Sequence, residues 1–333
     1  MIKIGVIGVG HLGKIHLKLL DELDTKFEIV GFYDTDKELA KKLNRSLRIQ
    51  SFKKIDELIE NCHAIVISSP TLSHFEYAEK AIKSHKHVFI EKPITNTLEE
   101  ADKLMKLALE AGIKVQIGHV ERFNPAYLAA QPYIDSPLFI EAHRLSEFNP
   151  RGTDVPVVLD LMIHDIDIIL SIIKSNISKV SASGVAVISD SHDIANCRLE
   201  FDNGTVCNIT SSRMSLKKMR KLRIFQKNAY ISIDLLDKKT EIIKLKNLSP
   251  SQEVDPFAMI LDVGKNNKRK QIYFENPEIK ETNAIKEELI SFYDSITNNT
   301  EPKVSISDGV RALELAHQIL DKMNSRKLSL KLK

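Results

Sequence analysis

The sequence lacks tryptophan altogether and contains only three cysteines in 333 residues. The number of cysteines is odd, and none of them forms a C-x-x-C pair, so no disulfide framework is expected among Cys62, Cys197 and Cys207. This predicts a reducing, cytoplasmic setting. No apolar run approaches the ~20 residues that cross a bilayer, and the first residues already form a strand-like pattern rather than a signal peptide. We therefore expect a cytoplasmic protein without a membrane partner.

An excess of charge of either sign is also missing. The 48 basic residues are nearly balanced by 45 acidic ones, which gives a formal net charge of +3. A dedicated nucleic-acid-binding protein would show a concentrated basic excess, so this class is not expected. With 43% hydrophobic residues, the chain is long enough for two domains with buried cores.

What the sequence does contain begins with a glycine loop. A strand pattern at Lys3–Ile7 runs directly into Gly-x-Gly-x-x-Gly, and a helical pattern follows over Ile15–Leu23. In this context the glycines permit a tight turn, close approach of a pyrophosphate and close helix–strand packing, while the helix N-terminus attracts the phosphates. His11 is also compatible with a surface position. The predicted cofactor-binding residues of the loop are Gly8, Gly10, His11, Leu12 and Gly13.

The second predicted strand, Glu28–Tyr33, ends at Asp34. A carboxylate about 20 residues after the glycine loop is placed to accept hydrogen bonds from the adenosine ribose, and its charge would repel a 2′-phosphate. The pattern predicts NAD rather than NADP as the cofactor. The alternative is that Asp34 is a turn or capping residue.

Strands and helices continue to alternate over the first 120 residues or so, with a short strand near Arg48–Phe52 and others over Ala64–Ile67, Val88–Ile90 and Ile113–Ile117. This alternation predicts a doubly wound parallel sheet, whose ligand lies beyond the carboxyl ends of the strands. Polar residues follow several of those ends. They complete the predicted cofactor site: Ser68, Ser69, Pro70, Thr71, His74, Glu91 and Lys92.

The pattern changes after Gly118–Pro125, the predicted crossover between domains. Seven strands are predicted beyond it, with a hairpin signal at Asn203-Gly204, and two closing helices over Ala284–Thr297 and Ser307–Asn324. We predict an NAD-binding Rossmann domain over residues 1–122, and an antiparallel-sheet domain covered by helices, for substrate and oligomer contacts, over residues 123–333. The predicted strands are Phe139–Glu147, Val180–Val187, Ala195–Phe201, Thr205–Ser211, Leu222–Phe225, Tyr230–Ile233 and Thr240–Leu245.

One predicted helix of this second part, Val157–Ile173, is apolar nearly all round and should be buried. Its polar residues Asp160, His164, Asp167 and Ser171 recur at helical spacing and form a narrow stripe. The stripe predicts the wall of a polar pocket, where burial and pairing tune protonation. The alternative is a satisfied buried Asp–His pair. A metal site is not expected, because no third ligand occurs at usable spacing.

The densest basic cluster, Lys217–Lys221, has two interpretations. It is either a solvated loop between strands or a clamp for the phosphates of a nucleotide sugar.

Together, the glycine loop, Glu91-Lys92-Pro93, the asparagine–proline crossover and Asp160-x-x-x-His164 resemble the glucose–fructose oxidoreductase/inositol dehydrogenase (Gfo/Idh/MocA) family over essentially the whole chain. The resemblance implies a Rossmann domain, an antiparallel sheet whose open face forms oligomer contacts (a homodimer or homotetramer), a nicotinamide cofactor and a sugar or polyol substrate. It also implies catalytic roles for Lys92, Asp160 and His164, which would contact substrate as well. The crossover is similar to that of family members that oxidise UDP-N-acetylglucosamine at its 3-hydroxyl.

These expectations combine into one mechanism. His164 would act as general base, the Lys92 ammonium would stabilise the developing alkoxide, and Asp160 would orient the hydroxyl or His164. Arg122 and Asn124 would contact substrate or, equally, brace the crossover. The alternatives are a free polyol or aldose dehydrogenase and a non-catalytic NAD-binding regulator.

Overall fold

The structure is a computed structural model that describes residues 1–148, 155–189, 191–249, 258–263 and 268–331, with the side chains of 263, 268 and 326–331 excepted. The chain forms two compact units, each assembled from two separate segments. Unit 1 comprises Met1–Phe123 and Thr282–Leu315, and unit 2 comprises Asn124–Glu281 and Ala316–Lys333.

Unit 1 is built on a five-stranded sheet in the order β2-β1-β3-β4-β5, with every neighbouring pair parallel. Parallel strands need crossover connections, and helices supply them here, so the predicted doubly wound sheet is confirmed. The strands are β1 Ile2–Ile7, β2 Phe27–Tyr33, β3 Ala64–Ile67, β4 His87–Glu91 and β5 Val115–Gly118.

The strand order reverses between β1 and β3, which is the point where such sheets bind ligands. The short strand predicted near Arg48–Phe52 is reduced to one parallel bridge between Ser51 and Phe32. Backbone hydrogen bonds on both sides of the bridge hold this segment beside β2, where the third strand of a dinucleotide-binding sheet would lie.

Two helices of unit 1 begin at residues whose side chains cap the helix N-terminus. Asp36 caps α2 by accepting hydrogen bonds from two main-chain N–H groups, and Thr97 with Glu100 forms a capping box on α5. The helices are α1 His11–Asp21, α2 Lys37–Leu47, α3 Ile55–Glu60, α4 His74–Lys83, α5 Leu98–Ala111 and, after unit 2 has intervened, α8 Ala284–Thr297.

Residues 282–315 were expected in the second domain, but the compact units group them with the first. The reason is apolar packing, since Leu289 and Phe292 of α8 lie in the same buried core as β1 and α1. The division of function between 1–122 and 123–333 stays a prediction.

Unit 2 contains a nine-stranded sheet in the order β13-β14-β12-β11-β10-β6-β9-β8-β7. Neighbours are antiparallel except for β6 and β9, so the predicted antiparallel-sheet domain is confirmed. The strands are β6 Phe139–Leu145, β7 Ile177–Val185, β8 Ile194–Phe201, β9 Val206–Ser212, β10 Met219–Gln226, β11 Ala229–Asp234, β12 Lys239–Leu248, β13 Met259–Val263 and β14 Lys268–Glu275.

Strands β13 and β14 were missed by the sequence prediction. β14 begins with three consecutive basic residues, Lys268-Arg269-Lys270, so its first half lacks the alternation of apolar and polar residues that marks a strand. Its pairing with β12 and β13 supplies the strand structure instead.

The predicted helix Val157–Ile173 divides into two forms. Residues Val158–Met162 make a π-helical turn, and a regular helix, α7, follows over Ile163–Ile172. A short helix, α6, spans Pro125–Ala130, and a long one, α9, spans Ile306–Lys331. None of the helices in the described ranges combines the length and hydropathy needed to cross a membrane.

Candidate functional site

The glycine loop of unit 1 has the geometry that its three glycines require. Gly8 has φ +85°, a conformation that side-chain-bearing residues rarely adopt. A Cβ at Gly13 would collide with the carbonyl oxygen of Gly8, whereas a Cβ at Gly10 would project into open space. Gly10 precedes α1 and has no side chain to cap it, so the first N–H groups of the helix remain available to an anion.

Asp34 connects the end of β2 to this loop. One carboxylate oxygen accepts a hydrogen bond from the Val9 N–H at 2.7 Å, and the other accepts from the Asp36 N–H at 2.8 Å. The carboxylate is partly exposed, and it lines a cavity of about 300 Å³. Asp34 can therefore organise the turn and also face a bound cofactor, so the two interpretations of this residue do not exclude each other.

That cavity has the chemistry of an adenosine site. Its walls include the rings of Tyr33 and Tyr77, whose centroids are 6.4 Å apart, together with Gly8, Ser69 and Pro70. Flat apolar walls suit a purine, and a carboxylate at one end suits ribose hydroxyls.

The loop after β3 is hydrogen-bonded to the glycine loop. Ser68 Oγ donates to the Gly8 carbonyl oxygen at 2.8 Å, and Ser73 Oγ donates to Ser69 Oγ at 2.8 Å. Thr71 begins a 3₁₀ turn that leads into α4. Two predicted strand ends thus lie side by side at the point where the strand order reverses.

His74 joins this loop to the one after β4. Its Nδ1 lies 2.9 Å from the carbonyl oxygen of Pro93, and its Nε2 lies 2.9 Å from that of Ser69. Burial lowers the pKa of His74, while the two carbonyl acceptors favour the protonated ring, the form that donates to both. These main-chain bonds give His74 a bracing role, and direct cofactor contact stays a prediction.

The end of β4 positions Lys92. Glu91 is buried and its Oε2 accepts a hydrogen bond from the Lys92 N–H at 3.3 Å, while its Oε1 lies 2.7 Å from His16 Nε2. Lys92 itself is partly buried and precedes a cis peptide bond to Pro93. Glu91 therefore holds the main chain at Lys92, and its role in the cofactor site stays a prediction.

His16 was missed by the sequence analysis, although a signal was available. It lies three residues after Gly13 on the buried face of α1, where an apolar residue would be expected. A buried histidine requires a hydrogen-bond partner, but its sequence position does not say which one.

In unit 2, the predicted polar stripe is only partly realised. Asp160 and His164 are partly exposed, Asp167 is buried, and Ser171 Oγ pairs with the hydroxyl of Tyr127 at 2.8 Å. The stripe assumed regular α-helical spacing, and the π-helical turn that contains Asp160 alters that spacing. Such turns recur at functional sites, which supports the candidate role of Asp160.

A buried ion pair beside His164 was not predicted. Arg144 of β6 makes two hydrogen bonds to Asp165, Nε to Oδ2 at 3.0 Å and Nη2 to Oδ1 at 2.8 Å. The pair ties α7 to the sheet directly next to His164.

Arg122 and Asn124 make contacts that brace the crossover. Arg122 Nη2 lies 3.6 Å from Asp308 Oδ1 within unit 1. Asn124 of unit 2 accepts a hydrogen bond from the Ala126 N–H, capping α6, and donates to the Leu235 carbonyl oxygen. These contacts favour the bracing alternative, and substrate contact by either residue stays a prediction.

The basic cluster Lys217–Lys221 leads into β10 and is largely exposed. Lys221 Nζ lies 3.3 Å from Asp234, and Lys218 Nζ lies 4.0 Å from Glu147. The ion pairs favour a solvated face over a phosphate clamp, since part of the charge is already neutralised.

The reversal of strand order, the open glycine loop at a helix N-terminus and the carboxylate after β2 define a dinucleotide-binding domain. The fit of NAD is supported by the open space at Gly10 and by the position of Asp34 on the cavity wall.

The chain belongs to the Gfo/Idh/MocA family. The model of its oxidoreductase domain with an NAD-binding Rossmann fold matches residues 2–119, and that of its C-terminal domain matches residues 116–232. The protein is accordingly an NAD-dependent dehydrogenase, as its sequence predicts.

Its relatives include named enzymes. The chain is 39% identical over 235 residues, 70% of its own length and 74% of the relative's, to a UDP-N-acetylglucosamine 3-dehydrogenase of Acidithiobacillus ferrooxidans. A solved structure of that bacterium's enzyme GnnA covers 97% of this chain and 98% of its own at 30% identity, with a TM-score of 0.85. A scyllo-inositol 2-dehydrogenase (NAD(+)) of Bacillus subtilis is 28% identical over 233 residues, 64% of this chain and 68% of the relative.

Proposed function

We propose that this protein oxidises a secondary hydroxyl of a nucleotide sugar, the 3-hydroxyl of UDP-N-acetylglucosamine. The observation that carries the substrate is the 39% identity to an enzyme named for that reaction, against 28% to the inositol enzyme. The Glu91-anchored Lys92 at the ligand edge of the sheet supports the chemistry.

The proposed catalytic residues divide the work of proton removal. NAD, when bound, supplies the hydride acceptor and the redox chemistry. His164 takes the proton of the substrate hydroxyl as general base, and the Lys92 ammonium stabilises the negative charge that develops on the oxygen. Asp160 orients the hydroxyl or the imidazole. The glycine loop and Asp34 hold the cofactor.

Replacement of Lys92 by Met tests the chemistry. Lys92→Met removes the ammonium and keeps most of the side-chain volume, so kcat should fall by at least about 100-fold while NAD binding persists. The matched control is Lys83→Met, which makes the same change on the exposed face of α4 and should leave kcat unaltered. Turnover of Lys92→Met close to that of the unmodified protein would remove Lys92 from the mechanism.

The substrate is tested by thermal shift in the presence of NAD. UDP-N-acetylglucosamine should raise the unfolding midpoint, because a ligand that binds the folded state stabilises it by mass action. A free polyol dehydrogenase is the second candidate, favoured by the inositol relative. Stabilisation by scyllo-inositol without stabilisation by the nucleotide sugar would select that candidate.

The proposal extends to location and assembly. Cys62, Cys197 and Cys207 are free and buried, which is compatible with a reducing cytoplasm. The sheet of unit 2 has exposed aromatic side chains, including Phe225 and Phe274 at 38% and 63% exposure, which suits a contact between copies. Light scattering after size-exclusion chromatography should give a dimer or tetramer mass, and a monomer would contradict this part.

A further inference from the structure

Three ionisable side chains meet in the core of unit 1. They are His16 on α1, Glu91 at the end of β4 and Glu288 on α8, and one nitrogen or carboxylate oxygen from each lies within 4.8 Å of the others. His16 and Glu288 have 0% exposure and Glu91 has 7%. Ionisable groups are rarely buried this deeply, because a buried charge is costly unless it is paired or neutralised by a proton.

The surroundings prevent Glu288 from reaching solvent. Gln116 Nε2 donates a hydrogen bond at 2.7 Å to the main-chain carbonyl oxygen of Glu288 and so fixes this turn of α8 against β5. Phe89 packs edge-on against the His16 ring at 5.4 Å and against Phe292 at 5.9 Å. The carboxyl group is therefore confined to an aromatic, water-poor space.

The two carboxyl groups differ in their partners. Glu91 interacts through both oxygens, with His16 Nε2 at 2.7 Å and with the Lys92 N–H at 3.3 Å. Neither oxygen of Glu288 has a hydrogen-bond partner among the residues that the structure describes, and the same holds for His16 Nδ1. Two adjacent carboxyl groups in a low dielectric do not both ionise, and a proton is favoured on the one whose oxygens have no hydrogen-bond donors.

We propose that Glu288 is held as a neutral carboxylic acid beside the hydrogen-bonded Glu91 and His16 side chains, and that Glu288 and His16 act as positioning residues for Lys92. This inference rests on the proposed catalytic role of Lys92. His16 fixes the carboxylate that accepts the Lys92 N–H, and Gly118 leaves room for it, since a Cβ there would lie 2.8 Å from Glu91 Oε2. Burial first, and then the charge of Glu91, raises the pKa of Glu288 well above its ordinary value.

If Glu288 keeps its proton in the folded protein, the free energy of unfolding should depend on pH. The groups that face it are Glu91 from β4, His16 from α1 and the uncharged Gln116 from β5. Above the ordinary glutamate pKa, the unfolded chain has lost the proton that the folded chain keeps, so stability falls as pH rises towards the raised pKa. Glu288→Gln removes this linkage, and its unfolding midpoint should rise relative to the unmodified protein as pH increases from about 5 to about 8.

The matched control is Glu287→Gln, the same substitution one residue earlier at a partly exposed position. It should show no such pH-dependent gain. Infrared spectroscopy gives a direct reading, because a protonated carboxyl group has a carbonyl band distinct from that of a carboxylate. This band should be present at neutral pH and lost in Glu288→Gln but not in Glu287→Gln. A midpoint difference that is flat with pH, or an unchanged band, overturns the neutral acid.

The positioning role is read from kinetics. His16→Leu should lower kcat about tenfold and change the NAD dissociation constant less than about threefold, because the lysine is misplaced rather than removed. His16→Gln retains a donor in the place of Nε2 and should recover most of kcat. Equal kcat values for the unmodified protein and His16→Leu, or equal losses in His16→Leu and His16→Gln, overturn this role.

Two further outcomes are separable. Stoichiometric zinc or manganese in the purified holoenzyme, lost in Glu288→Gln, would overturn the proton-sharing cluster in favour of a metal centre with the same three ligands. If Lys92→Met proves active, the proposed function fails, while the infrared and pH-stability results still decide the state of Glu288.

Discussion

At the scale of single residues, Asp34 shows how one carboxylate combines two tasks. Its hydrogen bonds to Val9 and Asp36 organise the loops, and its position on the cavity wall suits ribose recognition. From the sequence alone these tasks appeared as alternatives, because spacing gives the position of a residue but not the number of its partners.

Asp34→Asn is expected to weaken the preference for NAD. The amide accepts fewer hydrogen bonds from ribose hydroxyls and no longer repels a 2′-phosphate, so the ratio of kcat/KM for NAD to that for NADP should fall about tenfold or more. Asp36→Asn is the control, since asparagine also caps helices and the Asp36 side chain caps α2. An unchanged ratio in Asp34→Asn would assign cofactor choice to other residues.

At the scale of secondary-structure elements, the segment that holds Asp160 and His164 is anchored more firmly than its sequence indicates. Asp165 forms a buried, bidentate ion pair with Arg144 of β6. Sequence periodicity predicted a buried helix here correctly, but it gave no reason to connect Asp165 with a residue 21 positions away.

Breaking that ion pair should destabilise unit 2 strongly. Asp165→Asn leaves the guanidinium buried without its counter-charge, at a cost of about 3–5 kcal/mol in the free energy of unfolding. The double variant Arg144→Met/Asp165→Leu removes both charges and should regain much of the loss, as measured by urea unfolding. Additive losses in the double variant would show that the pair is not what fixes α7.

At the scale of the whole molecule, each unit contains its own reporter of unfolding. Cys62 lies in unit 1, Cys197 and Cys207 lie in unit 2, and burial raises the pKa of each thiol to about 12. A buried, protonated thiol is a poor nucleophile, so none should react with maleimide in the native protein.

Alkylation along a urea series should label all three cysteines over one transition. Each unit is assembled from two chain segments and α9 contributes to both, so neither is a free-standing stretch of sequence. Mass spectrometry of the labelled peptides measures each site separately. Labelling of Cys62 at clearly lower urea than Cys197 and Cys207 would show that the units unfold independently.

Most of the secondary-structure elements and the ligand edge of the parallel sheet follow from local sequence patterns. Local glycine spacing, apolar runs and strand-end polar residues are sufficient for a parallel sheet with the Gly8–Gly13 loop, Asp34 and Lys92 at one edge, because the chemistry of each motif is contained in adjacent residues. The family followed from the same motifs.

The pairing of residues far apart in the chain depends on the tertiary structure. It brought Glu288 from near the end of the chain to His16 and Glu91, joined Arg144 to Asp165, and set His74 between two strand-end loops. A single sequence does not show whether a given glutamate is buried or exposed, and it does not show which residue the glutamate contacts. The protonation state of Glu288 is therefore a property of the fold, although every residue that produces it is in the sequence.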